Sequence, residues 1–279
     1  MLVLFAMTLV PDSCPPLNLI HQKARLLSQK LIDTRKITRY DVHGLFSIFG
    51  NGDLVEGKQG LRYYIDYENA KVDFVHAHLC MRNLHANDSV VCEVGFNAGL
   101  SALLFLETMP RARVVSFDLG AFHWTRAADS ILKETYGSSR FPGVVFGDFV
   151  RQMPRLLSKD PLRCDVMFVD GSKSYTGRYN ALRVLQTVSK PNTVVFMDDI
   201  TTEECVNGTY ASEALHYANC QGKGKGYWPS VRAYNNASSE GWLRVETCAS
   251  PRLHPHDSIC LGRFNGIGAG EKATLKHGA

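Results

Sequence analysis

Apolar and polar positions along this 279-residue chain change rhythm three times. Between about Pro16 and Tyr40 the apolar residues Ile20, Ala24, Leu27 and Leu31 recur at three- and four-residue intervals, which predicts an amphipathic helix. Glycines at 44, 50, 52, 57 and 60 break the next stretch into turns, and a second helix is predicted from about Tyr67 to Leu84. From Ser89 onward, short continuous apolar runs alternate with amphipathic ones. Strands are predicted at Ser89–Glu93, Arg113–Phe117, Val144–Phe146, Asp165–Val169 and Thr193–Met197. Helices are predicted at Gly99–Met109, Phe122–Thr135, Phe149–Leu157 and Tyr175–Val188. Apolar strands separated by helices imply a parallel sheet covered on both faces. The last change comes at Trp242–Thr247 and Ser258–Phe264, two strands with no helix between them, hence an antiparallel pair at one sheet edge.

The pattern therefore predicts an α/β fold: a Rossmann-like doubly wound sheet of seven strands, mostly parallel, with a C-terminal antiparallel hairpin and an N-terminal helical lid. Residues 1–66 form the lid extension, 67–264 the main domain and 265–279 a Gly- and Lys-rich flexible tail. A hydrophobic fraction of 45% suits one large core, and 21% charged residues excludes wholesale disorder. The net charge of +4 is spread over scattered Lys and Arg, which argues against nucleic acid as a partner. Met1 to Val10 is apolar but lacks a basic n-region, is too short to span a bilayer and ends at Pro11, so no stable membrane insertion is expected.

Eight cysteines show neither a CxxC pair nor zinc spacing. Cys92, Cys248 and Cys260 fall inside predicted strands and read as small buried hydrophobes. A cytoplasmic location is the expectation. The apolar start and the sequons at Asn87, Asn207 and Asn236 leave a secretory-pathway location open. His76 and His78, two apart on one helix, face different directions and are not read as ligands.

Candidate chemistry gathers at the carboxyl ends of the predicted strands. The first strand–helix turn runs Glu93-Val94-Gly95-Phe96-Asn97-Ala98-Gly99-Leu100-Ser101. Its glycines let backbone approach a ligand closely, and the following helix N-terminus offers amides to an anionic group. The spacing is not the GxGxxG of dinucleotide enzymes. Glu93 would repel a pyrophosphate but suits a cationic amino acid ligand. Asp118 ends the second strand, where a carboxylate accepts ribose hydroxyls, and Asp148 follows the third. Either could instead cap a helix. Asp170 follows the fourth strand, in Asp170-Gly171-Ser172-Lys173, and Asp198-Asp199 end the fifth. Clustered carboxylates repel unless a cation sits among them, and hard oxygen ligands suit Mg²⁺.

In this order the residues resemble the class I S-adenosylmethionine-dependent methyltransferases, and more narrowly the catechol O-methyltransferase-like and macrocin-type O-methyltransferase branch, from about Tyr67 to Phe264. The resemblance implies that Glu93, Gly95, Phe96, Asn97, Gly99, Ser101, Asp118, Asp148 and Asp170 hold S-adenosylmethionine, with Ser101 on its carboxylate and Asp118 on its ribose. It implies that Asp170, Asp198 and Asp199 bind Mg²⁺ and that Lys173 is the general base, with Asp170 also in the catalytic set. The expected reaction is metal-assisted methylation of a hydroxyl on a small-molecule acceptor; a homodimer is left open. The chain departs from the macrocin-type pattern at Ser172 and Lys173, and from the catechol enzymes at Asp199. Tyr63, Tyr64, Tyr67 and Trp228 are candidate pocket aromatics. A non-catalytic protein that kept only the cofactor pocket is the main alternative. A nicotinamide oxidoreductase is disfavoured by the missing GxGxxG and by the terminal hairpin.

Overall fold

The computed structural model describes residues 11, 13–33, 61–172, 174–200, 228–249 and 258–265, with the side chains of 28, 32, 61–70, 123, 199, 228–230 and 258 outside the description. Two helices, α1 (Leu17–Asp33) and α2 (Leu61–Met81), precede the sheet. Then follow β1 (Val90–Val94), α3 (Leu100–Thr108), β2 (Arg113–Asp118), α4 (His123–Arg140), β3 (Val144–Phe146) and α5 (Phe149–Leu157). The chain continues through β4 (Cys164–Val169), α6 (Tyr175–Thr187), β5 (Ser189–Ile200), α7 (Trp228–Ser239), β6 (Leu243–Ala249) and β7 (Ser258–Phe264). The seven strands lie in the order β3-β2-β1-β4-β5-β7-β6. The first five pair in parallel, and β7 pairs antiparallel with both β5 and β6.

Alternation along the central strands feeds two separate cores. On β4, Val166 and Phe168 face one side while Met167 and Val169 face the other; on β5, Val194 and Phe196 oppose Val195 and Met197. The first core packs under α1, α2, α3 and α4, where Phe105 meets Phe168 and Phe196 at ring-centroid distances of 5.7 and 6.4 Å. The second packs under α5, α6 and α7. The result is the expected three-layer sandwich, with β1 between β2 and β4. Strand order reverses there, and open α/β sheets leave a ligand crevice at that point.

Four elements differ from the reading of the sequence, the first being helix α2, which starts at Leu61 rather than near Tyr67 and ends at Met81. Helix α4 runs on past Thr135 to Arg140, but Gly137 breaks it with φ 73° and ψ 157°. Strand β5 begins at Ser189, and Thr193 Oγ1 accepts from the Lys190 amide at 2.6 Å across Pro191. Helix α7 was not predicted at all; it buries Val231, Tyr234 and Ala237 against the second core. Among the described residues no helix is long and apolar enough to cross a membrane.

Candidate functional site

Glycine geometry sets the shape of the first turn. Gly95 follows β1 with φ +100°, and a Cβ built there would stand 2.6 Å from the Asp170 carbonyl oxygen and 2.9 Å from the Gly171 nitrogen. The turns after β1 and β4 therefore touch backbone to backbone, helped by the Asp170 amide donating to the Val94 carbonyl at 2.8 Å. Asn97 also has positive φ, at 50°, and its Oδ1 accepts from Trp124 Nε1 at 2.8 Å. Gly99, with φ 79°, leads into α3.

Asp118 ties this turn to β2. Its Oδ2 accepts from the Phe96 and Asn97 amides at 3.0 and 2.9 Å, and its Oδ1 from the Gly120 amide at 2.7 Å. An ionised carboxylate has about four lone-pair positions, so acceptor capacity remains for a ligand. The neighbouring Leu119 is 71% exposed and Phe122 49%, leaving an apolar surface beside the carboxylate.

Glu93 lies behind the turn. Its side chain is fully buried and accepts hydrogen bonds from Ser101 Oγ and from Ser116 Oγ, the latter at 2.5 Å. Burial pushes its carboxyl up to about 7 against the opposing pull of both serines, and the charges of Asp118 and Asp170 add to the rise. Two of the residues predicted to line the turn thus spend their polar atoms on each other. Phe96 is likewise buried, stacked on Phe141 at 5.7 Å, so only its backbone faces Asp118. Asp148 is an exposed N-cap for α5, accepting from the Val150 amide at 3.0 Å.

One carboxylate at the acidic end of the sheet meets a cation from inside the fold. Asp198 is buried at the end of β5, with Oδ1 2.8 Å from Lys71 Nζ on α2. Below the ends of β4 and β5 lies a second cation, Arg178 of α6, at 0% exposure. It donates from Nη1 to the Val169 carbonyl at 2.5 Å and to Tyr234 Oη at 2.9 Å, and from Nε to the Ser172 carbonyl at 3.0 Å. Burial raises the Tyr234 phenol well above its ordinary value; Arg178 opposes the rise, while Asp198 and Asp170 add to it. Tyr234 is therefore a neutral hydrogen-bonding post.

Of the three carboxylates expected to bind a divalent metal, Asp198 already faces an internal cation. An ion brought to Asp198 would meet an ammonium already within hydrogen-bond distance, and like charges at that range repel strongly in a partly buried site. Lys173 and the side chain of Asp199 lie outside the described residues, as do the side chains of Tyr63, Tyr64, Tyr67 and Trp228. Lys71, Arg178 and Tyr234 were not singled out from the sequence. A signal was present for both cations: Lys71 is in phase with buried Val75 and Leu79, and Arg178 with buried Leu182 and Leu185. A charge on an apolar helical stripe needs an internal partner.

Residues 92–200 match the family described as "Methyltransferase domain". That stretch is similar to a methyltransferase domain, and the seven-stranded sheet has the Rossmann-like fold of solved methyltransferase structures. A candidate O-methyltransferase from Klebsiella pneumoniae superposes with a TM-score of 0.51 at 17% identity, covering 77% of this chain and 93% of that one. The cofactor-bound protein Rv0187 from MTB gives 0.52 at 16% identity, covering 83% and 99%. No curated protein matches the chain at a significant level. The matched stretch of the methyltransferase domain runs from β1 to the end of β5, and so holds Glu93, Gly95, Asp118, Asp148, Asp170 and Asp198. Lys71 and Tyr234 enter the site from helices outside it.

Proposed function

We propose that the domain transfers the methyl group of S-adenosylmethionine to a hydroxyl of a small molecule. The observation that carries this reading is Asp118. Its carboxylate fixes the glycine turn through the Phe96 and Asn97 amides at the point where strand order reverses. A nucleoside has a carboxylate for its ribose and, beside it, the exposed Leu119 for its base. Asp170, against the Gly95 turn, offers negative charge to the ammonium and sulfonium of the amino acid part.

In the reaction the acceptor oxygen attacks the methyl carbon, the O–CH₃ bond forms as the S–CH₃ bond breaks, and the hydroxyl proton leaves to a base. We assign that base to Lys173, which follows the Asp170 turn in sequence. Alignment of nucleophile, methyl and sulfur supplies most of the acceleration, an effect that reaches roughly 7–11 kcal/mol in well-oriented systems. No step is routed through a metal. Lys71, paired with Asp198, and the buried Arg178 supply positive charge near the ends of β4 and β5.

The test is transfer of labelled methyl from S-adenosylmethionine to a panel of catechols, other phenols, sugars and hydroxy acids, with and without chelator. Transfer to one class that survives chelation supports the reading. Cofactor binding with no transfer to any acceptor would instead favour a binding protein.

A further inference from the structure

All six cysteines of the described residues are paired: Cys14 with Cys80, Cys92 with Cys164, and Cys248 with Cys260. Each pair joins different parts of the fold. Cys14, ahead of α1, reaches Cys80 on α2 with 5.8 Å between Cα atoms, 66 residues apart in sequence. Cys92 and Cys164 lie on neighbouring β1 and β4, both facing the second core, with 5.9 Å between Cα atoms. Cys248 and Cys260 are directly opposite in the β6–β7 register. Cysteines kept only as small buried hydrophobes have no reason to meet in pairs. Three pairings at bonding distance are rare in a reducing compartment and usual in an oxidising one.

His76 lies between Cys14 and Cys80, its Nε2 3.7 and 3.8 Å from the two sulfurs. Among the described residues, these three form the one group close enough to hold a metal. But Nε2 is 2.8 Å from the Pro15 carbonyl, which can only accept, so this nitrogen carries the proton and has no lone pair for an ion.

Oxidising compartments of eukaryotic cells also glycosylate, and the described sequons are not equivalent. Asn87 is exposed in the turn before β1, its Nδ2 donating only to the Asn83 carbonyl at 3.1 Å on the surface. Asn236 lies within α7, its Nδ2 donating to Tyr175 Oη at 2.7 Å, and the next residue, Ala237, is fully buried. A glycan fits the first position and would break the packing of the second.

We propose that this methyltransferase matures in an oxidising, glycosylating compartment, with Cys14–Cys80, Cys92–Cys164 and Cys248–Cys260 as structural disulfides and Asn87 as an N-glycan acceptor. Each pair of thiols gives up two protons and two electrons to a disulfide-bearing thiol oxidoreductase, whose own disulfide is reduced as the protein S–S bond forms. At Asn87, Nδ2 loses a proton and bonds the anomeric carbon of a polyisoprenyl-diphosphate oligosaccharide, whose C–O bond breaks to release the lipid diphosphate.

The full chain is produced with its own N-terminus in cultured eukaryotic cells, and its fold is checked by a cooperative thermal melt. It is then denatured in iodoacetamide without reductant and mapped by peptide mass spectrometry. The expected result is no alkylation at the six cysteines and three linked peptide pairs. A glycosidase-sensitive mobility shift is expected to fall by one glycan in Asn87→Gln and to be unchanged in Asn236→Gln. Alkylated cysteines in the folded protein, zinc retained at Cys14 and Cys80, or an unmodified Asn87 would overturn the proposal. Neither readout depends on methyl transfer.

Discussion

Replacing Glu93 by Gln removes a charge from the centre of the molecule and keeps its shape. The carboxyl titrates at 4.5 when solvated and at about 7 in the fold, where it is fully buried. Below 4.5 both states are protonated and burial costs nothing. Between 4.5 and about 7 the unfolded chain releases a proton that the folded chain still holds, so stability falls as pH rises. A difference of about 2.5 units at 1.36 kcal/mol each amounts to roughly 3 kcal/mol, fully lost above pH 7. In Glu93→Gln that loss disappears. The amide oxygen still accepts from one serine, and the other hydroxyl turns to accept from the amide nitrogen. Urea unfolding of both proteins at pH 5, 6, 7 and 8 reads the difference directly. The expected outcome is a gap that widens in favour of Glu93→Gln by about 2.5 kcal/mol between pH 5 and pH 8. Parallel stability profiles would show that Glu93 ionises in the fold as easily as in water, and would refute the reasoning.

Gly95→Ala forces a Cβ against the Asp170 carbonyl at a φ that side chains rarely adopt; unfolding midpoints should report a loss of about 3 kcal/mol, with weakened cofactor binding. Lys71→Met leaves buried Asp198 without its ammonium, and denaturation should show a cost of roughly 3–5 kcal/mol. Electron paramagnetic resonance of the wild type titrated with Mn²⁺ should show no tight site, and one lost on Asp198→Ala would contradict the internal-cation account. Asp148→Ala should cost about 1 kcal/mol of helix capping while leaving S-adenosylhomocysteine affinity unchanged, as calorimetry would show.

Much of the frame was legible because its signals are local. The apolar runs at Val90–Val94, Arg113–Asp118, Val144–Phe146 and Cys164–Val169 lie close to where periodicity put them, since a strand buried on both faces has little freedom of composition. The lack of a helical pattern between Thr247 and Ser258 in the sequence likewise forecast the antiparallel edge. Helix α7 escaped because Asn235-Asn236-Ala237-Ser238-Ser239 has weak helix propensity; burial of Val231, Tyr234 and Ala237 overrides it. Charge pairing was illegible for a different reason. Lys71 and Asp198 are 127 residues apart, and nothing local in either segment names the other. The same holds for the cysteines, where each position reads as a buried hydrophobe until the sheet brings β1 beside β4. Acidic residues at strand ends could be listed from sequence; which are internally neutralised could not.

Calorimetric titration of S-adenosylhomocysteine into the wild type and Asp118→Ala tests the central claim most directly. Micromolar binding by the wild type, weakened roughly tenfold or more (about 1.4 kcal/mol) in Asp118→Ala, is the expected result. No binding heat from a wild type shown to be folded would contradict it.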